Sequence, residues 1–253
     1  MSDMNMIDDA GSQSVWSALL SIIDKPGVTF TNLLAEPRLK WLLPLVLSVL
    51  VLIISAGLTA PYASQLAQTV TERQLQSAGA SPEQLEEMQA RSAAFTSPLV
   101  TALSGAIGGT IGLVLMWLIA TTFFYFTALI AGAELKFGDV LIVVSWSALP
   151  IALRTLIQTI YTVVTQKFPI YPGLAALQVS GDPLQDSRNP LIVLLGYADP
   201  FWLWQFGLLV VGLAVAARFS KVKSFFIVLL YSLLAIGVSV GLIMLSRTLT
   251  GGG

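Results

Sequence analysis

The sequence predicts an all-helical integral membrane protein, a bundle of five transmembrane helices. Of its 253 residues, 55% are hydrophobic and 11% are charged, whereas a soluble domain carries about 25% charged residues. Five apolar runs are each long enough for a hydrocarbon core of ~30 Å, which needs roughly 17–25 helical residues. In the segment 197–224, aromatic residues precede one apolar run and basic residues follow it. This is the pattern of a span that meets both membrane surfaces.

The N-terminal region is predicted to be a disordered tail followed by an amphipathic segment. Residues 1–13 are polar and acidic and carry no Lys or Arg, so a secretory signal is not expected. Residues 14–36 are predicted to be a cytoplasmic interfacial segment whose helix ends at Pro26 and Gly27. Its apolar residues recur at helical spacing on one face: Trp16, Leu19, Leu20 and Ile23. Packing of this helix on the protein's own spans is an open alternative.

A five-span membrane domain is predicted over residues 37–247. The spans are expected at about 40–60, 98–131, 140–164, 201–217 and 225–245. The two long loops, 62–97 and 166–199, are placed outside the cytoplasm. The first is rich in Glu, Gln and Ala and is predicted to be an extracytoplasmic helical hairpin. The apolar stretch 190–198 is too short to span, so it is either re-entrant or interfacial.

Glycines at four-residue spacing predict close helix packing within the second and fifth spans. Such glycines let helix backbones approach one another. The predicted packing residues are Gly105, Gly108, Gly109, Gly112, Gly237 and Gly241. Packing within the chain is favoured, and a homo-oligomer through the same glycines is the alternative.

Arg154 is the only charged residue deep in a predicted span. A charge at the middle of a bilayer costs about 2.5–3.5 kcal/mol on insertion scales. Arg154 is therefore a candidate polar or ligand site. The alternative is a structural arginine that snorkels toward the surface or is hydrogen-bonded. Asp199, directly before Pro200, has the signature of a helix N-cap.

The distribution of basic residues predicts a cytoplasmic N-terminus and an extracytoplasmic C-terminus. Positive charge close to span ends marks the cytoplasmic side. The residues that decide the orientation are Arg38, Lys40, Arg218, Lys221 and Lys223.

The amino-acid composition argues against several classes of function. The chain has no Cys and no His, which removes thiolate chemistry and the most common general base and nitrogen ligand. No catalytic residue, cofactor or metal site is predicted. The formal net charge of −1 argues against binding of nucleic acid, which depends on neutralising phosphates.

Three segments together resemble a known family. They are DKPGVTF, FGDVLIVVSWSALP and ADPFWLWQFGLLVVGLAVAARFSKVKS. In this order they resemble the Yip (Ypt/Rab-interacting protein) domain family, and the chain looks like its bacterial members. The best-matched positions are Phe137, Asp139, Pro150, Asp199, Pro200 and Phe201.

The resemblance implies five spans and a cytoplasmic N-terminus. Eukaryotic members act in vesicle traffic and contact prenylated Rab GTPases, partly through a longer N-terminal region. The shorter region here, with the likeness to bacterial members, implies a bacterial inner membrane.

These observations predict a non-enzymatic scaffold or adaptor whose partners are membrane lipid and an unidentified protein. One alternative is a small transporter or channel with a polar site near Arg154. Another is a lipid-modifying enzyme that uses the carboxylates at span ends, Glu134, Asp139 or Asp199.

Overall fold

The computed structural model describes residues 15–35, 39–77, 95–182 and 189–249, together with residues 79, 81, 83, 87, 90, 185 and 186. The tail predicted for residues 1–13 lies outside the described residues, as does much of the second arm of the hairpin predicted for 62–97.

The described residues form helices and contain no strand. The helices are α1 (Val15–Asp24), α2 (Pro26–Ala35), α3 (Leu42–Ser77), α4 (Pro98–Ile130), α5 (Phe137–Ser147), α6 (Leu149–Thr165), α7 (Pro190–Gly196), α8 (Pro200–Ala217) and α9 (Lys221–Leu249), with a 3-10 turn at Gly173–Leu177. Five segments are long and apolar enough to cross a membrane: Leu42–Gln76, Pro98–Ile130, Phe137–Thr165, Pro200–Ala217 and Lys221–Leu245. The prediction of an all-helical, five-span protein is confirmed.

The two ends of the bundle differ in the length of the connections between spans. The short-link end carries the links 131–136 and 218–220, and the long-loop end carries the segment 166–199. Helix α3 packs along α4 and α6, and α8 packs against α2, α5 and α9. The largest buried side chains include Trp146, Phe30 and Phe124, and the core lies around α5, on which α2, α4 and α8 pack.

The first span is longer than predicted. Its end was expected at Ala60, with a loop from Tyr62, but α3 continues through Pro61 to Ser77. A proline inside a helix removes one hydrogen bond, and the residues that follow it are mainly strong helix formers such as Ala, Gln and Leu. The first arm of the predicted hairpin is therefore a continuation of the span.

The third span is interrupted at Ala148, a break that the sequence analysis did not predict. Helix α5 ends at Ser147 and α6 begins at Leu149. Pro150 occupies one of the first two positions of α6, where a missing N–H costs least because that group has no partner within the helix. The Ala148 N–H donates to the carbonyl oxygens of Val144 (3.1 Å) and Ser145 (3.3 Å). Pro150 thus starts a second helix within one span.

The N-terminal segment consists of two helices rather than one. Pro26 was predicted to end the first helix, but it begins α2, and only Lys25 separates the two helices. The Thr29 hydroxyl donates to the Ser21 hydroxyl at 2.9 Å and ties α2 to α1. Phe30 and Leu33 are buried in the core. The open alternative of packing on the protein's own spans concerns α1, of which Ala18 and Ile22 belong to the same buried core; the position of the segment at a membrane surface stays a prediction.

The predicted glycines divide into two groups. A Cβ atom on Gly105 would lie 3.4 Å from Ala56 Cβ, and one on Gly109 would lie 3.6 Å from Leu52 Cδ2. These two therefore lie at the contact between α3 and α4. For the other four a Cβ would meet no described residue within 4 Å: Gly108, Gly112, Gly237 and Gly241. Gly112 faces a cavity between helices rather than a neighbouring side chain, so close packing of these four within the chain stays a prediction, as does a contact with a second copy.

Gly105→Leu is expected to lower the melting temperature in detergent, whereas Gly108→Leu, on the same helix, is expected to leave it nearly unchanged. A leucine at 105 would push against Ala56, and overpacking of this kind costs about 1–3 kcal/mol. The melting temperatures of both variants are measured by following the loss of helical signal on heating. Equal melting temperatures for the two variants would contradict the placement of the α3–α4 contact.

Candidate functional site at the long-loop end

Arg154 and Asp199 form an ion pair between two spans. Arg154 Nη1 lies 2.8 Å from Asp199 Oδ2, and the side chains are 24% and 3% exposed. The arginine belongs to α6, and the aspartate precedes the first turn of α8. A buried charge needs such a partner, because an unpaired one costs several kcal/mol of desolvation. Arg154 is therefore hydrogen-bonded, which was one of the structural alternatives left open by the sequence.

The same aspartate caps α8. Asp199 Oδ1 accepts the N–H of Phe201 at 2.7 Å, and Pro200 follows the cap as the first helical residue. The Asp199 carboxylate thus accepts a backbone N–H at the helix N-terminus with Oδ1 and binds Arg154 with Oδ2. The sequence predicts the cap but not its pairing with Arg154, although an arginine in a span requires a carboxylate or another partner at a similar depth.

Three adjoining cavities run from this ion pair in both directions. The middle cavity, of about 410 Å³, is lined by Arg154 and Trp202 among others. The inner cavity, of about 300 Å³, reaches the helix break at Ala148 and shares Ile151 and Gln205 with the middle one. Each volume falls in the range of about 300–1,000 Å³ that is typical of small-molecule sites.

The outer cavity, of about 560 Å³, is lined by Lys167 and Phe168 and shares Tyr171 and Asp186 with the middle one. Because neighbouring cavities have wall residues in common, the series extends from the helix break to the long-loop end. These cavities are not predictable from the sequence, since their walls come from most of the spans.

Two polar groups of this region have no hydrogen-bond partner among the described residues. Arg154 Nε is buried and unpartnered. The side-chain amide of Gln205, at the junction of the inner and middle cavities, makes no hydrogen bond within the described part of the chain. Buried polar groups in proteins are hydrogen-bonded as a rule, so Arg154 Nε requires an explanation, whereas Gln205 is only partly buried.

Asp186 contributes a buried negative charge to the wall of the middle and outer cavities. Its residue is 3% exposed, and Oδ1 accepts the N–H of Ser180 at 2.9 Å. It makes no ion pair with any residue that the structure describes. Burial raises the pKa of Tyr171, and the charges of Asp186 and Asp182 raise it further. The Tyr171 hydroxyl therefore stays protonated and remains a donor at the cavity wall.

The 3-10 turn Gly173–Leu177 closes this end against α7. Gly173 has a φ of +60°, and a Cβ there would lie 2.7 Å from the carbonyl oxygen of Ala198. The N–H of Leu174 donates to the same oxygen at 3.3 Å. Helix α7 packs on this turn and on α9. The stretch predicted as re-entrant or interfacial is thus a short packed helix, and its depth in a membrane stays a prediction.

At the short-link end, basic residues cap helix ends. Lys223 Nζ donates to the carbonyl oxygen of Ala131 at 2.7 Å and lies 3.8 Å from the centre of the Phe219 ring. Cations at a helix C-terminus interact favourably with its exposed carbonyls. Lys40 Nζ likewise donates to the carbonyl oxygen of Asn32 at 3.1 Å. These basic residues have structural contacts in addition to any role in orientation.

The remaining positions of the family resemblance also lie at helix ends. Asp139 Oδ2 accepts the backbone N–H of Lys136 at 3.0 Å at the start of α5. Phe137 packs edge-on against Tyr125, with ring centres 5.6 Å apart. Phe201, whose N–H is bonded to Asp199, is partly buried. We infer that these residues fix where the third and fourth spans begin.

No cluster of three or more metal-ligating residues occurs in the part of the chain that the structure describes. The polar features of the long-loop end are therefore an ion pair, isolated donors and one buried carboxylate.

The fold defines a multi-pass helical membrane protein with a broken third span and a paired charge between its third and fourth spans. The model of the Yip1 domain family matches residues 20–243, and the chain belongs to that family. Comparison with curated proteins and with solved structures found no significant match.

Proposed function

We propose that this protein is a non-enzymatic membrane scaffold that binds a partner protein through its N-terminal helices. The observation that carries the proposal is the division of α1 and α2 into two apolar faces. Ala18, Ile22 and Phe30 pack inward. Leu20 and Ile23 are 76% and 59% exposed. Exposed apolar side chains beside a membrane domain suit a protein partner or the membrane interface.

The ion pair supports a scaffold over a transporter. Intramembrane charges in transporters take part in coupling or in substrate binding. Here Arg154 is held by Asp199 at 2.8 Å, and the same carboxylate caps α8. A charge engaged in this way stabilises the junction of two spans.

We further propose a bacterial inner membrane with the N-terminus in the cytoplasm. The contact between Lys223 and Ala131 brings the two short links together. Arg218, Lys221 and Lys223 are exposed in or beside one of these links. Positive charge in short loops marks the cytoplasmic side, so the short-link end is assigned to the cytoplasm and the long-loop end to the outside.

The scaffold proposal is tested by crosslinking in native membranes. A photo-reactive residue replaces Leu20, and a second variant carries it at Leu177, which is 78% exposed at the opposite end. A reproducible protein adduct from position 20 that is absent from position 177 is the expected result. Adducts to lipid alone from position 20 would contradict the protein-binding role and would indicate that α1 is an interfacial anchor.

The alternative function is a small transporter or channel. The observation in its favour is the series of cavities that meets the helix break at Ala148, because broken spans line binding sites in many transporters. Solute flux into liposomes that contain the protein, lost in a variant with a filled inner cavity, would favour this alternative.

A further inference from the structure

We propose that the three adjoining cavities bind one phospholipid with a zwitterionic headgroup. One acyl chain lies in the inner cavity toward Ala148, and the headgroup lies between Asp186 and Lys167. The proposal does not depend on the scaffold role, because it concerns the opposite end of the molecule.

The inner cavity suits an acyl chain. Its walls are mainly apolar, with Leu52, Met116 and Leu209 among the side chains. Gly112 contributes no side chain there, and a Cβ on it would meet nothing within 4 Å. Met116 is 54% exposed, so the cavity lies beside the lipid-facing surface of α4. A chain from the surrounding bilayer has a direct entry at this point.

The middle cavity suits the ester region of a lipid. Two donors without a described partner belong to residues of its wall, the Gln205 amide and Arg154 Nε. Ester carbonyl oxygens only accept hydrogen bonds, and the amide N–H groups of Gln205 and the N–H groups of arginine donate them. A ligand with acceptors at this depth satisfies groups that the described residues leave unpaired.

The outer cavity favours a headgroup that carries both charges. The buried Asp186 carboxylate has no ion-pair partner among the described residues, and a charge in that state is costly unless it is neutralised. Lys167, which is exposed, lines the same cavity. An ammonium group beside Asp186 and a phosphate beside Lys167 would match this arrangement. A purely anionic headgroup would leave Asp186 unpaired.

The test uses protein reconstituted in vesicles of equal parts phosphatidylethanolamine and phosphatidylglycerol, then extracted in mild detergent. Native mass spectrometry counts the lipid that stays bound. The expected result is one phosphatidylethanolamine per chain, in excess over phosphatidylglycerol. Absence of retained lipid, or a preference for phosphatidylglycerol, would overturn the proposal.

Two glycines on α4 provide a matched pair of variants. Gly112→Leu places a side chain in the inner cavity, whereas Gly108→Leu, one turn away, lies outside its lining. We expect the first to reduce bound lipid at least about tenfold, which corresponds to ~1.4 kcal/mol, and the second to retain it. Equal retention by two variants that melt like the wild type would overturn the placement of the chain. If Gly112→Leu does not fold, Ala152→Leu enters the same cavity from α6 and carries the same expectation.

Asp186→Asn tests the headgroup separately. It removes the charge and keeps an oxygen that can accept the Ser180 N–H. We expect total bound lipid to be unchanged while the preference for phosphatidylethanolamine disappears. A preference equal to that of the wild type would overturn the role of Asp186. None of these outcomes bears on the crosslink at position 20, so the two proposals fail independently.

Discussion

Gly212→Leu is expected to prevent stable folding, and even Gly212→Ala is expected to lower the melting temperature by several degrees. A Cβ on Gly212 would lie 2.6 Å from Val143 Cγ1 and 3.0 Å from Phe30 Cζ. Both neighbours are almost completely buried, so neither has open space into which it can move. Overpacking of a tight core costs about 1–3 kcal/mol and occasionally more.

The effect is expected to be large because membrane helices associate through close packing. Lipid tails are as apolar as the side chains, so burial in itself gives little driving force between helices. At Gly212, α8 meets α2 and α5 at a single point. A larger residue would disturb the contacts of α8 with both helices.

Gly207→Ala is the matched control on the same helix. A Cβ at Gly207 would meet nothing within 4 Å, and alanine favours helix over glycine by about 0.8–1.0 kcal/mol. Its melting temperature in detergent should equal or exceed that of the wild type. A Gly212→Ala protein as stable as Gly207→Ala would show that the α2–α5–α8 contact is looser than the structure has it.

The contrast among glycines shows what the sequence could predict. Four-residue spacing identified Gly105 and Gly109, which do face α3, but the same spacing applies to Gly237 and Gly241, which face no other described part of the chain within 4 Å. Gly212 has no glycine four residues away. Its importance depends on Phe30, far away in sequence, so the tightest of these contacts could not be recognised from spacing alone.

The helical class and the number of spans were predictable because hydropathy reports them directly. The ends of the spans were less predictable from the sequence. Helix α3 passes through Pro61, since the polar helix formers beyond it continue the helix. The break at Ala148 depends on Pro150 being accommodated as the start of α6. Both features involve proline, which can end, begin or lie within a helix according to its neighbours.

The candidate site was predictable only in part. A charge deep in a span is rare, so Arg154 could be selected from the sequence. Its partner could not, because Asp199 is separated from it by a long loop and had already been explained as a cap. The cavities next to this pair require the relative placement of α3, α4, α6 and α8, which no local pattern contains.

Removal of Arg154 is expected to destabilise the protein by about 3–5 kcal/mol, because it leaves Asp199 buried and unpaired. Removal of Asp199 is expected to cost less, because the Arg154 side chain is 24% exposed. Arg154→Met leaves a carboxylate whose residue is 2% exposed. Asp199→Asn keeps an acceptor for the Phe201 N–H, since asparagine is also a favoured N-cap. The stability that this variant loses therefore measures mainly the broken ion pair. Asp199→Ala also loses the cap and is expected to be worse by ~1 kcal/mol.

The double variant Arg154→Met with Asp199→Asn separates the pair from other effects. Without either charge no buried ion is left, and replacement of a buried pair by neutral groups is often close to neutral. The double variant is therefore expected to melt above Arg154→Met alone, a non-additive result that defines the coupling between the two residues. Strict additivity of the single changes would mean that the 2.8 Å contact contributes nothing to stability.

An exposed ion pair in the same protein provides the comparison. Arg73 Nη1 lies 3.4 Å from Asp182 Oδ1, and the side chains are 42% and 46% exposed. Exposed pairs contribute about 0–1 kcal/mol, so Arg73→Met should hardly change the melting temperature. If Arg73→Met and Arg154→Met were equally damaging, loss of an arginine side chain in general would explain the result. A large effect at Arg154 alone shows that a paired charge joins the third and fourth spans, and it gives the in-span arginine a structural role instead of one in transport.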